Sequence, residues 1–246
     1  MQCRNVLITM AAAATGASVP LLRAANANAE AAGGATPDPA THWEAGAANP
    51  ALPPRAAGLL FLTAAEAETL GAMADRLIPA DELSIGGKEA GCVTFIDRQL
   101  DGTFGHGVSD YRLGPYHRGT PEQGPQNQLT PAQRYRAGLK ALHAYCQQQY
   151  GKTYAQLDAA TQDVVLTAME QNKLALGDVE SKLLFELILQ NVCEGFLADP
   201  VYGGNKDMAS WKMLGFPGAR YDFRDYMDQK GKKQNFIPVS LVSNSR

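Results

Sequence analysis

The side chains with the widest chemical reach in this chain are four histidines, His42, His106, His117 and His143, and four cysteines, Cys3, Cys92, Cys146 and Cys193. His106 and His117 share one loop, and with Asp110 they would form a metal site if folded together. Spacing of that kind is common by chance, and metal centres need clustered ligands that are themselves held by hydrogen bonds. His143 follows Leu142 on a helical stretch and reads as an exposed or hydrogen-bonded side chain rather than a base. Asp75, Asp81, Glu82 and Glu89 offer carboxylates for acid–base work, yet nothing defines a cleft around them, and they read as helix-end and surface charges.

The phosphate, nucleotide and haem signatures are missing. There is no Cys-x-x-Cys-His for haem attachment. Gly105-His106-Gly107 lacks both the third glycine and the preceding strand of a dinucleotide site. No phosphate-binding P-loop, H-E-x-x-H or G-x-S-x-G occurs. The expectation is therefore a chain with no catalytic residue, cofactor or metal of its own. What stands out instead is the run from Asp199 to Ala219, which mixes glycines with Tyr202, Trp211, Phe216, Met208 and Met213. Such residues anchor interfaces. They equally fold back to plug a helical core, and both uses are open for different side chains.

The elements that would position these residues read as helices. Thr63-Ala64-Ala65-Glu66 is a capping box, Leu70, Met73, Ala74 and Leu77 follow at helical spacing, and Pro79 ends the run. From Lys88, a second stripe holds Val93, Ile96 and Leu100. Thr130-Pro131-Ala132-Gln133 caps a third helix, with Tyr135, Leu139, Leu142 and Cys146 on one face and Gly151 as its stop. A fourth carries Val165, Leu166 and Met169, and a fifth runs from about Asp178 to Leu197 with Leu184, Ile188, Val192 and Phe196 in line. No stretch alternates with period two and no repeat is visible. The expected fold class is all-α, an irregular helical bundle with long Gly/Pro-rich loops. One of these loops, 101–129, is long enough to suggest a functional role.

The 246 residues fit one domain with tails. Residues 1–29 combine Arg4, an apolar stretch from Val6 to Leu22 and small-residue sites at Ala25-Asn26-Ala27 and Ala27-Asn28-Ala29, the parts of a cleaved export signal. Dilution by Gly16, Ser18 and Pro20 argues against a membrane anchor. Twin-arginine signals carry two adjacent arginines, and here Arg4 stands alone, so the signal is Tat-like with one arginine missing. Residues 30–58 are an Ala/Pro/Gly-rich linker arm, read as a spacer rather than a partner-binding strand. The helical domain spans 59–246. The net charge of −3 becomes −5 (20 against 25) once Arg4 and Arg23 are removed, which excludes a basic nucleic-acid-binding domain. Cleavage would also leave Cys92, Cys146 and Cys193, enough for one disulfide whose pairing is open.

Several segments carry a family resemblance: Ala74-Asp75-Arg76-Leu77-Ile78-Pro79, Gly86-Gly87-Lys88-Glu89-Ala90-Gly91-Cys92, Phe95-Ile96-Asp97-Arg98-Gln99-Leu100, Gly119-Thr120-Pro121-Glu122-Gln123-Gly124, and the long block Glu194 to Asn205 continuing through Trp211-Lys212-Met213 and Gly215 to Ala219. From about Thr63 to Val242 the chain resembles the small (gamma) subunit of bacterial gluconate 2-dehydrogenase, subunit 3 of the FAD-dependent membrane-bound sugar and sugar-acid dehydrogenases. It departs from that family's usual twin-arginine signal at the amino end. The resemblance implies a periplasmic complex held at the inner membrane. In it an FAD-containing large dehydrogenase subunit oxidises a sugar acid and a multihaem cytochrome c subunit passes electrons to quinone. The small subunit, without a cofactor, supports folding, stability and export of the flavoprotein. In that setting Tyr202, Trp211, Met213 and Phe216 are expected to be interface anchors, with Gly203, Gly204, Gly215 and Gly218 shaping the turns that present them. A free-standing periplasmic chaperone or binding protein, and a metal-dependent enzyme built on the histidine loop, are the rival readings.

Overall fold

Helix α1 (Ala64–Leu77) begins where Thr63 and Glu66 satisfy each other's backbone amides, the reciprocal arrangement of a capping box. The computed structural model describes residues 58–241 apart from 111–113, 116, 118, 124–127 and 221. The export signal expected at 1–29 and the linker arm at 30–58, save Gly58, lie outside the described residues, as does Cys3. Helices α2 (Cys92–Asp101), α3 (Pro131–Tyr150), α4 (Ala159–Glu170) and α5 (Ser181–Leu197) follow, and a short α6 (Ala209–Leu214) interrupts the glycine-aromatic segment. The fold is mostly α, as the periodicity predicts.

The stops and starts have local causes. Thr130 caps α3 through a second capping box with Pro131 in the first turn, and Gly151 ends it with φ of 66°. Asp158 caps α4 by accepting from the Thr161 amide at 3.0 Å. The fifth helix starts three residues later than its apolar stripe suggests. Gly177, with φ of 64°, and Asp178 instead close a two-stranded antiparallel hairpin, β1 (Ala175–Leu176) with β2 (Val179–Glu180), pairing Leu176 with Val179. Both of those side chains are buried, so the hairpin folds an apolar pair back onto α3.

Helix α5 is the centre of the packing, touching α1, α2, α3, α4 and α6. The i, i+4 series Leu184, Ile188, Val192 and Phe196 is buried along its length. Tyr135 of α3 is wholly buried, and its hydroxyl donates to Asn191 Oδ1 of α5 at 3.0 Å. That burial raises the phenol's pKa far above its ordinary value. Asn191 in turn donates to Glu194 at 3.1 Å. At the periphery, Arg76 of α1 clamps Asp163 of α4 with two bonds of 2.7 and 2.6 Å, and this guanidinium holds the Asp163 carboxyl below the usual range.

One carboxylate sits inside. Asp97, fully buried on α2, accepts from three consecutive backbone amides: Leu60 at 2.7 Å, Phe61 at 3.0 Å and Leu62 at 2.7 Å. Arg136 of α3 holds the same segment from the other side. It donates to the Phe61 carbonyl at 2.7 Å, lies over the Phe61 ring at 4.3 Å and pairs with Glu66. The chain entering α1 is thus clasped by an anion on its N–H groups and a cation on its carbonyl.

Asp97→Asn preserves size but replaces one acceptor with a donor facing an amide. We expect a loss of about 3 kcal/mol in urea denaturation, the scale of a buried charge-assisted contact left unmade; a loss under about 1 kcal/mol would mean those amides have other partners. The described cysteines are all free thiols, Cys92 and Cys146 buried and Cys193 exposed. Burial pushes the Cys92 thiol up to about 12 and the Cys146 thiol up to about 11. In a Cys3→Ser variant, a thiol reagent at neutral pH should therefore label Cys193 quickly and the other two only on unfolding. Rapid labelling of two or three would contradict the packing.

Candidate partner-binding surface

Beyond α5 the chain leaves regular structure but not order. Asp199 caps a 3-10 turn (Pro200–Tyr202), its Oδ1 accepting from the Val201 amide at 2.9 Å. The same carboxylate reaches across to a segment far along the chain, accepting from Ser240 Oγ at 2.7 Å and from the Leu241 amide at 2.9 Å. The next residues lie hard against the scaffold. A Cβ on Gly204 would stand 2.0 Å from the Gly195 carbonyl oxygen, and one on Gly91 2.7 Å from that of Gly203. Only hydrogens fit, so the turn seats directly between the start of α2 and the last turns of α5. The Lys206 amide closes the seam by donating to the Ala90 carbonyl at 3.0 Å.

Asn205, Asp207 and Met208 then adopt positive φ, at 46°, 54° and 56°, a concentration of left-handed backbone in non-glycine residues. Asn205 holds this turn from inside. Fully buried, it donates to the Ala198 carbonyl at 2.9 Å and accepts from the Ser210 amide at 3.0 Å and hydroxyl at 2.8 Å. Met208 is buried too, which delivers the chain into α6 with one side of that helix facing inward. Gly215, at φ of 70°, ends the helix.

The expected anchors separate at this point. Trp211 is only 6% exposed and its Nε1 donates to the Leu197 carbonyl at 2.8 Å, satisfying one of the open acceptors at the end of α5. It plugs the scaffold and does not project from it. Phe216 packs edge-on against the Trp211 ring at 5.2 Å between centroids, yet remains 47% exposed. Tyr202, Met213 and Leu214 are exposed as well, as is Leu197. Of the glycines, Gly203 and Gly218 have φ of 100° and 81°, and Gly218 pairs as a parallel bridge with Val239. Two alternatives were open for the aromatic residues; the fold assigns Trp211 to the core, and Tyr202, Met213 and Phe216 to solvent.

The histidines and surface acids are placed elsewhere. His106 and His117 are exposed, and the His106 Nδ1 lies 2.9 Å from the Gly102 carbonyl oxygen. Among the described residues no three His, Cys, Asp or Glu side chains converge on a metal-sized site, so His106, His117 and Asp110 do not form one. His143 is exposed on α3. Asp75 accepts from the Lys88 amide at 2.9 Å and Asp81 from those of Leu83 and Ser84 at 2.8 and 3.0 Å, so both are turn formers. Sequence reasoning passed over Asp97, Asp199 and Asn205. A signal existed for Asp97: it lies four residues after Val93 and three before Leu100, on the face of an apolar stripe, where a carboxylate must be satisfied internally.

These features define a class first: a mostly helical scaffold organised around one central helix, with a rigidly seated irregular rim that presents apolar side chains. The family model for gluconate 2-dehydrogenase subunit 3 matches residues 64–218, more than half of the chain. The chain belongs to that family, and so to the subunits of multisubunit dehydrogenase complexes. No curated protein and no solved structure matches it.

Trp211→Ala removes a buried indole together with its hydrogen bond and should cost about 3–5 kcal/mol in denaturant titration. Phe216→Ala, on the exposed side of the same pair, should cost about 1 kcal/mol or less. Equal losses would refute the inward and outward assignment.

Proposed function

We propose that this chain is the non-catalytic small subunit of a periplasmic, membrane-bound, FAD-dependent gluconate 2-dehydrogenase or related sugar dehydrogenase. It supports folding, stability and export of the flavoprotein, in a complex whose electrons leave through a multihaem cytochrome c. The sugar or sugar acid is selected in the flavoprotein. Family membership supports the reading. The observation that carries it to particular residues is the rim itself. Buried Asn205 and Trp211 and close glycine contacts hold the backbone rigid, while Tyr202, Met213 and Phe216 stay solvent-facing. A preorganised apolar surface loses little side-chain and loop freedom on association, which favours a permanent partner. No helix among the described residues is long and apolar enough to cross a membrane. In this reading the chain is held at the membrane through the assembled complex.

The test is purification from native membranes, following flavin absorbance and haem through the tagged small subunit. Wild type should bring down a yellow flavoprotein and a haem protein. The combined variant Tyr202→Ala, Met213→Ala, Phe216→Ala should lower recovered flavin at least tenfold, since central aromatic anchors each contribute about 1–2 kcal/mol or more, with its melting temperature little changed. Undiminished recovery would refute the interface. Oxidation of a sugar acid by the isolated chain would refute the non-catalytic role.

A further inference from the structure

Residues 219–238 leave the scaffold and return to it at one point. Gly218 and Val239 bridge in parallel, the Ala219 amide donates to the Val239 carbonyl at 2.6 Å, and Asp199 holds Ser240 and Leu241 just beyond. The excursion is closed at its base, and its aromatic side chains pack on one another. The Phe236 ring is its hub. Tyr226 and Phe223 meet it edge-on at 4.8 and 5.8 Å, and the Arg220 guanidinium lies over it at 4.8 Å. This loop lies outside the residues matched by the family model, 64–218.

Its outward composition is uneven. Between 219 and 241 there are five cations and three acids, a balance of +2, which leaves −5 for the rest of a chain whose total is −3. The two arginines are occupied within the loop, Arg220 on Phe236 and Arg224 on Asp222 at 2.8 Å. The remaining cations are Lys230, Lys232 and Lys233, all exposed around Gly231, which turns with φ of 76°. None of the three makes an ion pair among the described residues. The same loop carries large apolar side chains with little cover: Ile237 is 77% exposed, Met227 66% and Phe223 45%.

We infer that this loop is a contact for an anionic lipid surface, with Lys230, Lys232 and Lys233 at the headgroups and Met227 and Ile237 entering the boundary below them. Two features favour lipid over an acidic protein face. Protein interfaces are depleted in lysine and enriched in arginine, whereas the cations here that are outside ion pairs and ring contacts are all lysine, with Asp225 and Asp228 the exposed acids of the same loop. Flexible lysine stems suit a headgroup layer, where the ammonium remains hydrated while neighbouring apolar side chains are buried. The loop thereby gives the small subunit its own membrane contact, independent of the partner surface proposed above.

The full chain should be tested by flotation with phosphatidylcholine vesicles, with and without phosphatidylglycerol. Wild type should bind the anionic vesicles preferentially, and the preference should fade as ionic strength rises. Each lysine near such a surface is worth about fivefold in affinity, so Lys230→Gln, Lys232→Gln, Lys233→Gln together should weaken that binding roughly a hundredfold. Met227→Ser with Ile237→Ser should weaken it further. A matched melting temperature shows that the variants remain folded. Equal binding to neutral and anionic vesicles, or full binding by the lysine variant, overturns the proposal. So does a lysine variant that floats normally but no longer recovers the flavoprotein, since the lysines would then face protein.

Discussion

A buried carboxylate on three successive amides is the interaction on which the rest of the architecture depends. Asp97 could be interior only because Leu60, Phe61 and Leu62 turn their N–H groups toward it, and those residues can run there only because the anion awaits them. Isolated burial of such a charge would be prohibitive; accepting several amide hydrogens in a site closed to water makes it tenable. The arrangement places the entry to α1 relative to α2. Arg136 adds α3 to the same clasp through the Phe61 carbonyl. Three successive helices are thus registered around one short extended segment.

Helix α2 transmits that registration to the irregular rim. Its amino end, at Gly91, lies against Gly203, while Phe95 on its inner face lies against Gly195 of α5. The Gly203–Gly204 turn consequently has no freedom to settle elsewhere, and Asn205 and Trp211 complete its attachment to the end of α5. Rigidity at an irregular surface needs this kind of support, because such a segment has no internal ladder of hydrogen bonds to resist deformation. The positive φ values at Asn205 and Met208 fall on buried residues, Asn205 being held by the Ala198 carbonyl and by Ser210.

The loop at 219–238 is built differently. Its base is tied to the scaffold by the Gly218–Val239 bridge, and its interior is a small aromatic cluster around Phe236. The molecule therefore carries two outward features: an apolar rim seated on α2 and α5, and a loop closed at its base that exposes Lys230, Lys232 and Lys233.

Residue order alone was enough to locate the five long helices, because their information is local. Capping boxes at Thr63 and Thr130, the stop at Gly151 and the apolar series through Leu184, Ile188, Val192 and Phe196 each act within one or two helical turns. Family resemblance was legible for the same reason, in contiguous blocks. Folding in three dimensions was needed to send Trp211 inward and Phe216 outward, to start α5 after a hairpin, and to bury Asp97 and Asn205. Those outcomes turn on partners far away in the chain, such as the Leu60–Leu62 amides for Asp97 and the Leu197 carbonyl for Trp211. In a segment without periodicity, no local pattern says which side of the chain will meet the core.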